Sequence, residues 1–223
     1  FLVDDDTHSF WIDKQDIHKR LADRCLELLS TGDTLRKDVC DLHHPGTLRS
    51  EIEPGIIDNR LPPEVQYACR YWVHHWKESR RQIRDGDRVH HFLTDRLLYW
   101  LEALGLAGRI RESFNMANCL LDMLDPENST AMSALLHDLQ RFLLANATVI
   151  DVSPLQTYHS ALLFAPERSV IRRLQPTKHS TCVLLLSPMN LDWDACLQTL
   201  EGHSHWVEFY RILARRPEAR VGL

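Results

Sequence analysis

Residues 61–76 read LPPEVQYACRYWVHHW, a run in which apolar and aromatic side chains are too dense for a surface segment. Its spacing predicts a buried helix. Pro62 and Pro63 suit a helix start, where the fixed φ of proline is tolerated and its missing N–H costs nothing, and Glu64 suits the positive end of the helix dipole. Val65, Ala68, Cys69, Trp72 and Trp76 recur along one face, while Tyr67, Tyr71 and Val73 make the sides apolar as well. A helix apolar most of the way round needs neighbours on more than one side. The rest of the chain should supply them.

Working outward, a helix is expected from Asp13, with Ile17, Leu21, Cys25, Leu28 and Leu29 on one stripe and Gly32 as its stop. A short helical turn is expected to hold Leu35, Val39 and Cys40. His43-His44-Pro45-Gly46 and Pro54-Gly55 then bracket a loop of about a dozen residues, long enough to suspect mobility or function. Beyond the central helix, Asp87 can cap a helix carrying Val89, Phe92, Leu93, Leu97, Trp100, Leu101 and Leu104, whose face matches what the central helix lacks. Further stripes follow at Ile110, Phe114, Ala117, Leu121 and Leu124, and, after a cap at Ser129 or Thr130, at Met132, Leu135, Leu136, Leu139, Phe142 and Leu143. Ser153-Pro154 reads as a cap and first-turn pair for a helix running to Pro166, and Val170, Ile171 and Leu174 add a turn or two. The fold expected is all-α, an antiparallel bundle or short superhelix of about six or seven helices from Asp13 to about Leu174. After Pro176 the pattern changes, and Cys182–Leu186 and Cys196–Leu200 read as short strand-like runs.

Composition bounds the function. The 223 residues carry 44% hydrophobic and 26% charged side chains with a formal charge of -5, which weighs against a nucleic-acid partner because phosphate neutralisation needs an excess of Lys and Arg. No run reaches the ~18 to 20 apolar residues of a membrane span, and no signal-peptide pattern opens the chain. An intracellular, cytoplasmic protein is expected. The six cysteines, 25, 40, 69, 119, 182 and 196, follow no pairing rhythm and read as reduced core thiols, and the Asn128 and Asn146 sequons would go unused. Because the sequence opens on Phe1 rather than Met, the natural N-terminus is expected to lie upstream.

Four segments carry a family resemblance: residues 61–76, HFLTDRLLYWLEALGL at 91–106, RFLLANATVIDVSPLQTYHSALLFAPERSVIR at 141–172, and WDACLQTLEGHSHWV at 193–207. In order and spacing they resemble the region between the ATPase and the propeller of fungal NACHT and WD-repeat proteins, the vegetative-incompatibility, NLR-like STAND type. The resemblance covers residues 1–207. It implies an upstream module that binds nucleotide, a helical region, and downstream WD repeats that sense a ligand. Residues 1–12 are then the tail of an upstream winged-helix segment, 13–176 the helical domain, 177–193 a linker and 194–223 the truncated start of a WD-repeat region. Leu197–His203 resembles the outer strand and Gly-His turn of a blade, whereas Glu208–Leu223 is basic and unlike one. A frameshift that leaves the propeller incomplete is the expected explanation. The implied function is non-catalytic coupling between a nucleotide-dependent switch and a sensor in self/non-self recognition and programmed cell death. Its partners are proteins, either the neighbouring modules or a related protein in trans. The alternative is a free-standing helical scaffold or decoy that binds a partner protein.

The residues themselves argue for no catalytic, cofactor-binding or metal site. G-x-x-x-x-G-K-[ST] is absent, and Gly105-Leu106-Ala107-Gly108 reads as a helix stop. Of the adjacent histidine pairs 43/44, 74/75 and 90/91, the helical ones point about 100° apart and neither is expected to chelate an ion by itself. Cys40 with His43 and His44 is the best metal cluster in the sequence, yet structural zinc wants four ligands and no second pair has matching spacing. There is no G-x-S-x-G, and the Asp4–Asp6 carboxylates read as solvated. Lys77, Arg80, Arg81, Arg84 and Arg88 are interrupted by acids and read as a solvated helix end, and Trp72, Trp76 and Trp100 as core. A small enzyme would instead require a polar pocket with convergent titratable groups.

Overall fold

The computed structural model describes residues 13–174 and 190–193. Within them the chain forms α1 (Lys14–Ser30), α2 (Pro54–Arg60), α3 (Pro63–Glu78), α4 (Arg88–Leu106), α5 (Glu112–Asp122), α6 (Thr130–Val152), α7 (Ser160–Leu163) and α8 (Val170–Leu174), with 3-10 turns at Arg49–Glu51 and Pro154–Thr157. No strand or sheet occurs among the described residues, so the all-α expectation holds there. The strand-like runs after Pro176, the segment 1–12 and the blade-like stretch 194–223 lie outside the described residues.

α3 is the buried centre. Val65, Ala68, Cys69, Trp72, Val73 and Trp76 are all inside, whereas Tyr67 is exposed. Its most extensive backbone contact is with α1, not with the α4 that follows it in sequence. Both buried stripes carry small side chains, Ala22 and Cys25 on α1 and Ala68 and Cys69 on α3, and small side chains let two helix backbones approach closely. The pair is antiparallel, since Gln15 at the start of α1 donates to the Ser79 carbonyl just past the end of α3, 3.0 Å. α4 meets α3 through large rings instead. Trp72 lies edge-on to Phe92 and Trp100, with ring centres 5.4 and 5.6 Å apart, and the Trp100 indole N–H donates to the Cys69 carbonyl at 2.8 Å.

The stripes predicted for α4 and α6 are buried residue for residue. Those of α1 and α5 are turned: Ile17 and Leu21 face outward while Ala22, Cys25, Leu26 and Leu29 are inside, and in α5 Ser113, Met116, Ala117 and Leu120 replace Phe114 and Leu121 as the deepest positions. Asp13 and Asp87 cap α1 and α4 by accepting from the Gln15 and His90 amides. Ser129 occupies the cap position of α6, but its hydroxyl turns back to the Asp125 carbonyl. The Ala131 and Met132 amides are satisfied by Asp85, from the connection between α3 and α4, at 2.9 and 2.8 Å. The same connection pairs Ile83 with the segment after α5, through Ile83 N–H to Met123 C=O and Asp125 N–H to Ile83 C=O, each 2.9 Å.

Three further expectations are corrected. Leu35, Val39 and Cys40 are buried but their segment is not helical, and Asp38, Asp41 and His43 adopt the left-handed region at φ 53, 53 and 63°. The segment bracketed by His43 and Gly55 is not a bare loop, for it holds a 3-10 turn and the start of α2. The helix expected from Ser153 to Pro166 is instead the 3-10 turn Pro154–Thr157 and the short α7, parted at His159 with φ -103 and ψ -92°, and the Ser153 hydroxyl turns to the Thr47 and Pro45 carbonyls rather than capping. Gly105 also differs from its reading as a break. It lies inside α4, where a Cβ would sit 3.1 Å from the Ile150 side chain and 3.2 Å from its carbonyl oxygen, so glycine here permits the approach of α6. Gly108, at φ 67°, ends the helix.

Trp72→Ala is expected to cost about 3 to 5 kcal/mol in urea denaturation, as for a large buried aromatic. Gly105→Ala should cost about 1 to 3 kcal/mol through overpacking against a helix backbone that cannot yield. Gly46→Ala, with open space around the new methyl, is the control and should leave the midpoint unchanged.

Candidate functional site

Two features bring chemistry-bearing side chains together: a histidine cluster across α1 and α3, and a buried carboxylate on α4. In the first, His18 from α1 meets His74 and His75 near the end of α3. The Nδ1 atoms of His18 and His75 are 2.9 Å apart, and one ring nitrogen from each of the three histidines lies within 4.8 Å of the others. His75 is buried, His18 half-buried and His74 exposed. The Tyr67 hydroxyl sits 2.8 Å from His75 Nε2. Burial holds the His75 imidazole below its ordinary range, and the neighbouring His18 and His74 add to the effect, so its neutral form is favoured.

The adjacent pair on α3 was set aside from sequence because the two side chains diverge. In the structure their ring centres are 5.5 Å apart, and a third histidine, 57 residues from His75, joins them from α1. The one signal in the sequence was His18 itself, which continues the buried stripe Ala22, Cys25, Leu29 one turn earlier. Cys40, His43 and His44 form no such group among the described residues. The Cys40 thiol is buried and pushed up to about 11, first by burial and then by Glu102, while His43 points into solvent. Cys25, Cys40, Cys69 and Cys119 are free thiols, and burial pushes Cys69 up to about 12.

Glu102 is the second feature. It lies on α4 with no exposed surface, and its two oxygens accept from the Asp38 and Val39 amides at 3.0 Å each and from the Tyr158 hydroxyl. The Asp38 and Val39 amides are thus held from α4, in a segment where Asp38 and Asp41 take left-handed φ and the turn expected at Leu35–Cys40 is not helical. Burial raises Glu102 to about 7, and the hydrogen bonds from Tyr158, Val39 and Asp38 pull the other way. Asp38 and Cys40 are the other titratable groups facing it.

Three cations of the basic run, Arg81, Arg84 and Arg88, are tied to acids. Arg81 bonds Asp23 at 2.9 Å and stacks 3.8 Å over the Trp76 ring, Arg84 bonds Asp125 at 2.7 Å, and Arg88 lies 3.6 Å from Asp23. These cations join α1 and the connection after α5 to the end of α3. Trp72, Trp76 and Trp100 are core. A groove of ≈ 450 Å³ between α2, α3 and α4 is lined instead by Tyr67, Tyr71 and Leu104, with Arg70 and Arg109 at its rim, and Arg70 is doubly bonded to Glu112 at 2.8 and 3.0 Å. No described helix is long and apolar enough to cross a membrane.

Against known proteins, the sequence is 35% identical over 178 residues to the vegetative incompatibility protein HET-E-1 of Podospora anserina. The two are homologous. The match takes in 76% of this chain and 13% of HET-E-1, so the chain corresponds to a small part of that relative. No family model matches the sequence, and no solved structure matches it.

Glu102 sets a pH dependence. Its acid is held in the fold to about 7 against an ordinary value of 4.5, so between these limits the native state keeps a proton that the unfolded chain has released. The stability it contributes is full below about 4.5 and is lost as pH rises through about 7, by up to about 3 kcal/mol. Glu102→Gln should be less stable than the wild type at pH 5, since one of its amide N–H groups faces a backbone donor. The gap should narrow by pH 8, measured as paired urea midpoints. A gap that widens instead would show the ionised carboxylate to be the favoured form.

Proposed function

We propose that the chain is a non-catalytic helical coupling region of a heterokaryon-incompatibility signalling protein, joining a nucleotide-dependent NACHT switch to a WD-repeat sensor. The observation that carries this reading is the 178-residue similarity to HET-E-1. The helical body offers what coupling asks for, a unit stiff enough that displacement at one end reaches the other. Asp85 ties the α3–α4 connection to α6, Glu102 ties the segment before α2 to α4, and Arg81 ties α1 to the end of α3. The buried carboxylates Glu102 and Asp138 each hold backbone amides and side-chain donors of other segments, which supports a structural role for them. Exposed apolar side chains, Ile17 and Leu21 on α1 and Phe164 and Leu191 towards the C-terminal part of the described chain, suit contact with neighbouring modules. The partners are accordingly proteins, the flanking modules or a related protein in trans, and the compartment is the cytoplasm.

The test is a chimera in which the matching residues of this chain replace their homologous stretch in HET-E-1. The incompatibility response should be retained and should be lost in the same chimera carrying Trp72→Ala. A response that survives loss of the folded helical unit, or a silent chimera that accumulates normally, would overturn the coupling role. A chain shortened by residues 177–223 that stays folded and binds a partner on its own would favour the free-standing scaffold.

A further inference from the structure

We propose that His18, His74 and His75 form a binding site for a zinc-class divalent ion that staples α1 to α3. The argument is geometric. An imidazole nitrogen bonds zinc at about 2.0 to 2.1 Å, which puts the ring centre about 3.2 Å from the ion, so three rings at tetrahedral angles have centres about 5.2 Å apart. In the structure the three ring centres are 5.1, 5.5 and 5.8 Å apart. The Nδ1 atoms of His18 and His75, at 2.9 Å, need to part by only a few tenths of an ångström to reach the ~3.3 Å between two ligands of one tetrahedral ion. The ring centres are spaced as three ligands of one ion would be, and the donor nitrogens, all within 4.8 Å of one another, need a modest closing of the His74 side chain to meet.

The donor set and its surroundings point the same way. Three imidazoles suit Zn²⁺, Cu²⁺ or Ni²⁺ and not the oxygen-seeking Mg²⁺ or Ca²⁺. Tyr67 serves as the orienting partner that metal-bound histidines commonly have: with the His75 Nε2–H donating to its hydroxyl, the His75 Nδ1 lone pair faces His18. The proton between the two Nδ1 atoms then belongs to His18. On metal binding it moves to the far nitrogen of the same ring, a tautomer change without a change of charge. The exposed side of His74 leaves the fourth position to water. The backbone holds the ligands apart in advance, because the extended contact of α1 with α3 and the bond from Gln15 to the Ser79 carbonyl fix the register that opposes residue 18 to residue 75. The site belongs to the helix pair itself and stands whether or not the chain couples two modules.

The experiment uses the full chain, stripped with a chelator and freed of any histidine tag, titrated with Zn²⁺ against a chromogenic competitor and with Co²⁺ by visible absorption. One equivalent of zinc should bind, with an intense four-coordinate Co²⁺ band and a raised Tm at saturation. His18→Gln and His74→Gln, which alter a half-buried and an exposed residue, should keep their far-UV CD spectra and each lose at least tenfold in affinity. Tyr67→Phe should lose about tenfold. His43→Gln/His44→Gln should bind as the wild type does. No zinc bound by the wild type, or equal binding by His18→Gln, would overturn the site.

Discussion

Covering α3 is the constraint on which the structure depends. A helix with Trp72, Trp76, Val73, Cys69, Ala68 and Val65 in its apolar surface must be enclosed on more than one side, and different chemistry closes each side. Small residues seat α1 with the backbones close; the edge-to-face rings of Trp72, Phe92 and Trp100 seat α4. The hydrogen bond from the Trp100 indole to the Cys69 carbonyl then sets how far α4 can slide along α3. Once α4 is placed, Gly105 admits α6, and α6 carries α5 and the short C-terminal helices.

How much of this was legible in the sequence follows from where each helix gets its information. α4 and α6 have wide apolar faces made largely of Leu, Phe and Trp, and α3 is anchored by Trp72 and Trp76 among Val, Ala and Cys; for all three the periodicity names the buried stripe correctly. α1 and α5 mix small residues, a serine and a histidine into their buried faces, so large aliphatics such as Ile17, Leu21 and Phe114 misled the choice of stripe. Size was mistaken for depth. The segment between α1 and α3 was misread for another reason: its shape is imposed by Glu102, 63 residues from the amide of Val39, and local pattern holds no trace of a partner so distant.

The candidate site failed to show for the same reason. A pair of adjacent histidines on one helix is correctly judged a poor chelator taken alone, and only the register of α1 against α3 brings His18 into the gap. The cluster that spacing did suggest, Cys40 with His43 and His44, comes apart because the left-handed turns at Asp41 and His43 send its members in different directions. Buried ionisable groups were likewise missed. Glu102 and Asp138 sit on faces whose periodicity says apolar, and each is tolerated because donors from other segments complete its hydrogen bonds.

Asp138 also accepts from the Trp193 indole at 2.6 Å, while the Asn190 and Leu191 carbonyls accept from Glu167 and Arg168. The chain thus leaves α8 at Leu174 and is back against the helical body at Trp193. Mechanically this is a second point of attachment. A pull on the residues that follow Trp193 would be borne first by α6, the longest helix among the described residues, and not by the five-residue α8. The direction in which load enters the bundle is therefore set by one aspartate and one indole.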